Sequence, residues 1–301
     1  MKNSDNAHIS VLLKELVEGL DIKEGNLVVD ATVNGGGMSK EILRRFGNKV
    51  KLTCLDADEN ALKEAQKTLT QENQKTTVSF VCGNFSNLKN LLKPLGISAV
   101  DKIIFDLGLS SNQLESSGRG FSFLKDEPLL MTFSAKPTEE DLTAFDIANR
   151  WDAENIETIL KSYGQEWSAR KIAGAIVEAR KDGPIKTSKQ LSEIVEKTVG
   201  RRGKIHPATK TFQAFRIAVN DELLSLKEGL KQGFEFLNPG GRMALISFHS
   251  AEDRIVKNFM KDRAKEKTGI VIFKKPITPG KEELTKNPRA RSAKLRILEK
   301  I

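Results

Sequence analysis

Cysteine is scarce in this chain of 301 residues: Cys54 and Cys82 are the only two, each inside a short apolar run. That scarcity excludes a disulfide-built scaffold, and no Cys/His spacing resembles a zinc site, so no metal is expected. Both thiols are expected to be core residues of strands. No apolar stretch approaches the length needed to cross a bilayer, and the polar start, Met1 to Asn6, lacks the apolar core of a secretory leader. The expectation is a cytoplasmic protein with no membrane partner. Internal repeats and low-complexity tracts are also missing, which argues against a solenoid. What is plentiful is positive charge. Lys and Arg number 49 against 40 acidic residues, a formal net charge of +9. Such a balance favours a polyanionic partner, nucleic acid first, although solvated lysines alone produce the same number.

From Asn26 to Leu107, short apolar runs alternate with helical spacing: strands near 27–31, 50–56, 77–82 and 100–107, and helices near 39–46, 59–70 and 86–93. This alternation predicts an α/β fold with a parallel sheet covered on both faces. Asp30, Asp56 and Asp106 then fall at the carboxyl ends of strands, where open α/β sheets bind ligands. After Asp106 the pattern becomes helical. Thr138 with Asp141 reads as a capping box, Asp152 as a second cap, and further helices are expected at 166–181 and 188–198. Alternation resumes with a long helical pattern from Pro207 to Leu237, ended by Asn238-Pro239-Gly240-Gly241. A strand from Met243 to Phe248, a helix over 251–264 and strands near 269–274 and 293–299 follow. The expected division is a sheet domain over 1–111 and 207–301, interrupted by a helical insertion over 112–206.

The glycine-rich turn Val33-Asn34-Gly35-Gly36-Gly37-Met38-Ser39 joins the first strand to its helix. Glycines there let the backbone turn sharply and approach a ligand with no Cβ in the way. The spacing is neither G-x-G-x-x-G nor a phosphate loop with its Lys-Ser or Lys-Thr pair. S-adenosylmethionine, which has no phosphate, suits this shorter turn, and Asp56 is placed to accept hydrogen bonds from ribose hydroxyls. An ordinary βα turn is the plain alternative.

Several segments are more specific: His8-Ile9-Ser10-Val11-Leu12-Leu13, Asp106-Leu107-Gly108-Leu109-Ser110-Ser111-Asn112-Gln113-Leu114, Arg119-Gly120-Phe121-Ser122-Phe123, His206-Pro207-Ala208-Thr209, Phe212-Gln213-Ala214-Phe215-Arg216-Ile217, Ser247-Phe248-His249-Ser250-Ala251-Glu252-Asp253-Arg254 and Asn287-Pro288-Arg289-Ala290-Arg291-Ser292. In this order they resemble, over nearly the whole chain, the family of S-adenosylmethionine-dependent methyltransferases that modify N4 of a cytosine in small-subunit (16S) ribosomal RNA, the RsmH or MraW type. The resemblance implies a class I methyltransferase sheet, Rossmann-like, with an inserted helical substrate-recognition domain, acting near the decoding centre. It implies cofactor contacts at Gly36, Gly37, Met38, Asp56, Phe85, Asp106 and Gln113. Without it, Phe85 reads equally as a core aromatic. The chain departs from the family pattern at Asn34, at Met38, where the family has histidine, and across Leu129-Leu130-Met131-Thr132-Phe133-Ser134.

Methyl transfer is an in-line displacement, so alignment and exclusion of water are the protein's main tasks. Asp106 is the expected hydrogen-bond acceptor for the amine or a cofactor contact, with Ser110 beside it. His249 is a candidate for RNA contact or proton removal, against a structural role. Carbon-5 methylation would need a cysteine nucleophile, which neither Cys54 nor Cys82 resembles. Arg201, Arg202 and Lys204, and Arg289, Arg291, Lys294 and Arg296, form two basic clusters, the first expected to hold RNA phosphates or simply to be solvated, the second to border the site. A non-catalytic ribosome-assembly factor and a methyltransferase with a protein or small-molecule acceptor are the competing readings. If the first cluster grips phosphates, charge reversal at Arg201 and Arg202 weakens RNA binding and flattens its salt dependence while sparing cofactor binding, as filter binding at several salt concentrations would measure.

Overall fold

The computed structural model describes residues 10–72, 78–201, 203 and 205–301. His8 and Ile9, and Arg202 and Lys204 of the first basic cluster, lie outside the described residues. The chain divides into two compact units, Met1–Ser110 with Leu223–Ile301, and Ser111–Glu222. Residues 207–222 thus group with the second unit, beyond the point at which the sequence pattern places the return to the sheet. Among the described residues, no helix is long and apolar enough to cross a membrane.

In the first unit, α1 (Leu13–Leu20) precedes β1 (Leu27–Asp30), α2 (Gly37–Phe46), β2 (Lys51–Asp56), α3 (Glu59–Glu72), β3 (Val78–Cys82), α4 (Leu88–Leu92) and β4 (Val100–Asp106). The second unit holds α5 (Ser111–Ser116), α6 (Ala144–Arg150), α7 (Ala153–Ser162), α8 (Ala169–Ala179), α9 (Ser188–Val199) and α10 (Thr209–Val219). The chain then continues through α11 (Glu222–Phe236), β5 (Leu237–Ser247), α12 (Ser250–Lys265), β6 (Gly269–Val271), α13 (Lys281–Lys286) and β7 (Lys294–Lys300).

The strands form one seven-stranded sheet in the order β3-β2-β1-β4-β5-β7-β6. β1 to β5 pair in parallel, while β7 is antiparallel to both β5 and β6. Period-two alternation supplies both faces. Val28, Ile104, Ala244 and Ile246 pack in one apolar cluster with α1 and α2. Val29, Ile103, Phe105, Met243 and Leu245 pack in the other with α4, α11 and α12. The order reverses between β1 and β4, and the crevice at such a switch point is where an open α/β sheet binds ligands.

Three expectations are corrected here. Cys54 is fully buried, but Cys82 is exposed at the end of the edge strand β3, which has a neighbour on one side only. The strand expected from Met243 begins at Leu237. Its Pro239-Gly240-Gly241 stretch, read as a helix stop, is looped out of register, so Val100 faces Leu237 while Lys102 faces Arg242. Gly240 takes φ 77°, which few other residues adopt without strain. The second basic cluster does not stay together as a surface patch. Arg296 is buried on β7, its Nε 2.7 Å from Asp253 Oδ1, and Lys294 Nζ lies 2.9 Å from Asp253 Oδ2, whereas Arg289 and Arg291 are exposed. Burial opposes ionisation of Asp253, but the Arg296 and Lys294 hydrogen bonds hold its carboxyl below the usual range.

In the second unit, the Thr-x-x-Asp spacing occurs twice and only the later copy starts a helix. Asp141 Oδ2 accepts from Thr138 N at 2.6 Å without a helix following. Thr143 and Asp146 form the capping box of α6, because the Ala144 and Phe145 amides are tied to the Leu130 and Leu129 carbonyls at 2.8 and 2.7 Å. Asp152 caps α7 as expected, its Oδ1 accepting from Asn155 N at 2.7 Å. The long pattern after Pro207 is two helices. Asp221, at φ 47°, breaks it, and Asn220 fills the break by accepting from Phe133 N at 2.7 Å and donating to Met131 O at 2.8 Å. The Leu129–Ser134 departure from the family pattern is therefore a structural strap, with Leu129, Met131 and Thr132 buried and the Arg119 guanidinium donating to the Thr132 and Phe133 carbonyls.

Truncation of Asp253 to Ala leaves a buried guanidinium without its partner. Denaturant unfolding is expected to show a loss of about 3–5 kcal/mol, the usual cost of breaking one side of a buried ion pair.

Candidate active site

β1 delivers Asp30 to the switch point, and the chain then turns through Ala31–Gly36 before α2. The turn is held from three sides. Val33 N donates to Leu55 O at 2.8 Å, Gly36 N to Val33 O at 2.8 Å, and Asp106 N to Thr32 Oγ1 at 2.6 Å. Asn34 occupies φ 50°, a conformation Asn tolerates better than most residues, and its Nδ2 donates to Thr32 O at 3.1 Å. The family departure at this position keeps the turn by that local bond. Gly36 has φ 85°, and an added Cβ would sit 3.2 Å from Ala65 Cα. At Gly37 an added Cβ would collide with Ser10 Oγ.

The three strand-end acids converge on this turn. Asp56 Oδ2 accepts from Asn34 N and Oδ1 from Asp58 N, both at 2.9 Å. Asp30 Oδ2 accepts from Ser39 Oγ at 2.7 Å. Asp106 Oδ1 is buried and has no hydrogen-bond partner among the described residues. Burial raises all three carboxyls: Asp30 to about 6 against donation from Ser39 and Thr32, Asp56 to about 7 against the Asp58 and Asn34 amides, and Asp106 to about 8. For Asp106 that rise includes, after burial, the charges of Asp30 and Glu252. An orphaned acceptor beside two more acids is a site prepared for a cation or a hydrogen-bond donor.

The remaining expected residues are placed as follows. Met38 is buried in the apolar cluster with Val33 and Ile42, so this position offers a ligand its first-turn backbone amide rather than its side chain. Phe85 lies just after β3, half-buried, with its ring edge-to-face with Phe105 at 5.4 Å and against Gly229, where a Cβ would come within 2.5 Å of it. Ser110 is buried at the end of the first unit, and Gln113 is buried on α5 of the second. His249 caps α12: its Nδ1 accepts from Glu252 N at 3.3 Å, while Glu252 Oε2 accepts from His249 N at 3.2 Å and Phe248 N at 2.8 Å. That is the work of a helix-capping side chain. Cys54 is a poor nucleophile, since burial and the nearby Asp30 raise its thiol, and the Cys82 thiol is raised by desolvation and by Glu59, Asp56 and Asp58. In the first basic cluster, Arg201 is exposed and its Nε is paired with Glu196. Thr32 and Ser39, which fasten the turn to Asp106 and Asp30, were not singled out from the sequence. A hydroxyl nine residues after an acid carries no sequence signal of its own.

The parallel sheet with an antiparallel β7, a glycine turn after β1 and acids at its carboxyl edge is a class I methyltransferase sheet. The model of the MraW methylase family matches residues 5–301, and the chain belongs to that family. Its relatives include the protein named ribosomal RNA small subunit methyltransferase H from Clostridium botulinum (strain Kyoto / Type A2), 44% identical over 313 residues, covering 98% of this chain and 99% of the relative. The proteins of the same name from Persephonella marina and Clostridioides difficile are 44% and 39% identical, again over 98% of this chain and 99% of each relative. The protein is a methyltransferase.

Raised carboxyls bind protons more tightly in the folded than in the unfolded chain, so their contribution to stability is full below the unfolded value near 4 and is lost as pH rises through about 6 to 8. The ligand-free protein is expected to melt at lower temperature as pH rises across that window, and Asp106→Asn to reduce the slope. A melting profile unchanged by that substitution at every pH would contradict the placement of Asp106.

Proposed function

We propose that the protein transfers the methyl group of S-adenosylmethionine to N4 of a cytosine in 16S ribosomal RNA, near the decoding centre of the small subunit or its precursor, in the cytoplasm. The observation that carries this reading is a cluster of buried acids with an orphaned acceptor at Asp106 and, among the described residues, no basic residue among the charges shifting Asp30, Asp56 or Asp106. A permanently positive sulfonium is attracted to such a site, whereas a cofactor bearing phosphates is repelled. Gly36 and Gly37 let the backbone approach the donor, and Asp56 has lone pairs left for ribose hydroxyls. The residues present therefore fit the cofactor. Small-subunit RNA as substrate is drawn from the name that the relatives carry, and the net charge of +9 agrees with it.

S-adenosylmethionine supplies an electrophilic methyl group. Held beside these acids, it would donate that methyl to the cytosine amine and leave as the neutral thioether, with Asp106 placed to take the proton that the amine gives up. Asp106 ionises when a cation is bound beside it, and its otherwise unpartnered Oδ1 then accepts an amine hydrogen, localising the nitrogen lone pair for attack. Thr32 holds Asp106 from the backbone side. Ser110, in the segment that follows this acid, is assigned to the same step, and Gln113 to the cofactor. Nitrogen is preferred to carbon 5 as acceptor because a raised, buried Cys54 thiol cannot act as a nucleophile there. Arg201, Arg202, Lys204, Arg289 and Arg291 are assigned to RNA phosphates, and His249 to shaping the start of α12.

Small subunits from cells lacking this activity, incubated with labelled S-adenosylmethionine and the protein, are expected to yield N4-methylcytidine by mass spectrometry of the nucleosides. Asp106→Asn is expected to lower kcat by about 10²–10⁴-fold, the range of a lost acid–base group, with a smaller effect on donor binding. Donor and RNA binding without transfer by the unaltered protein would turn the reading to an assembly factor, and a methyl group on carbon 5 would exclude the nitrogen chemistry.

A further inference from the structure

Tryptophan is expected to bury most of its surface, yet Trp167 in the second unit is 95% exposed. The segment that carries it is not loose. Gly164 lies so close to the Lys210 and Leu160 carbonyls that an added Cβ would be 2.7 and 2.8 Å from them. Gln213 Nε2 donates to Tyr163 O at 3.1 Å, Lys210 Nζ to Gln165 O at 2.9 Å and Glu166 N to Leu160 O at 3.0 Å. Ser168 N donates to Glu166 Oε1 at 2.9 Å, so the residues on either side of the indole are both held. The tryptophan is presented to solvent from an ordered turn between α7 and α8.

Its surroundings are basic. Arg170 and Lys171, both exposed, follow in the first turn of α8, which contains no acidic residue. Trp167 sits in the turn two residues before α8, within which helical spacing places Arg170, Lys171 and Gly174 on one face, and all four residues are solvent-exposed. Glu166 Oε1, accepting from Ser168 N, places one carboxylate at this helix start, and Arg170 and Lys171 add two cations in the turn that follows.

We propose that Trp167 is a base-stacking platform for single-stranded ribosomal RNA, with Arg170 and Lys171 on the adjoining phosphates. An exposed aromatic face beside cations is what single strands bind with little regard to sequence. A protein partner fits less well, because the patch has one large apolar side chain followed by two cations rather than a continuous apolar surface. This inference rests on the RNA-substrate reading above and adds a site on the helical unit that positions the strand.

The test uses the full-length protein in a Trp151→Phe background, leaving Trp167 as the only tryptophan. Titration with a single-stranded oligoribonucleotide is expected to quench its fluorescence. Trp167→Ala is expected to weaken binding roughly 5- to 150-fold, the range of one base–aromatic stack, with Trp167→Phe recovering much of it and donor binding unchanged. Substitution of Arg170 and Lys171 by Glu is expected to lower the slope of log K against log salt by about 0.7 for each phosphate no longer neutralised. Equal RNA affinity of Trp167→Ala and the unaltered protein, with ribosomal methylation intact, would overturn the platform alone. Loss of affinity for intact subunits but not for the free oligoribonucleotide would put a ribosomal protein against Trp167 and overturn it too. Failure of the unaltered protein to bind RNA or methylate subunits would overturn both readings.

Discussion

The structure depends on keeping acids buried at the carboxyl edge of a parallel sheet without giving them a cation. Asp30, Asp56 and Asp106 each cost free energy to ionise there, and the chain offsets only part of it with hydrogen bonds. Ser39 and Thr32 serve Asp30, the Asn34 and Asp58 amides serve Asp56, and Asp106 Oδ1 has no such support among the described residues. The glycine turn exists at the same place because its backbone supplies one of these amides, through Asn34, and gives way to α2 with no side chain at Gly36 or Gly37. A buried acceptor left without a partner beside other acids is what a ligand site offers at this edge.

Asp253 shows the opposite arrangement. That acid is also largely buried, but Arg296 and Lys294 close on its two oxygens and hold it ionised, so it fastens α12 to β7. His249 likewise spends its Nδ1 on the cap of that helix. The same residue types thus do structural work around β5 and β7 and stay underpaired at β1, β2 and β4. The difference lies in which partners the sheet order brings within reach.

In the second unit the same economy applies to backbone groups. Asn220 and Arg119 satisfy carbonyls and amides of the Leu129–Ser134 strap, and the loop around Gly164 is tied by Lys210 and Gln213. Trp167 stands out against this, since the residues on both sides of it are held while its own side chain is exposed.

The sequence by itself determined the sheet and its edge. Alternating apolar runs marked β1 to β4, the glycines marked the turn, and aspartates at strand ends marked the site, because strand period and turn chemistry are local properties of the chain. The motifs from His8 to Ser292 identified the family for the same reason. Tertiary structure decided what locality cannot. It chose Thr143-Asp146 over Thr138-Asp141 as the cap, since only the former has the Leu129 and Leu130 carbonyls opposite. It split the helix after Pro207 at Asp221, exposed Cys82 at a sheet edge, buried the Met38 side chain in the core, put His249 at the start of α12 and buried Arg296 against Asp253. Each of these outcomes depends on a partner many residues away, and spacing along a chain does not reveal which distant group will arrive.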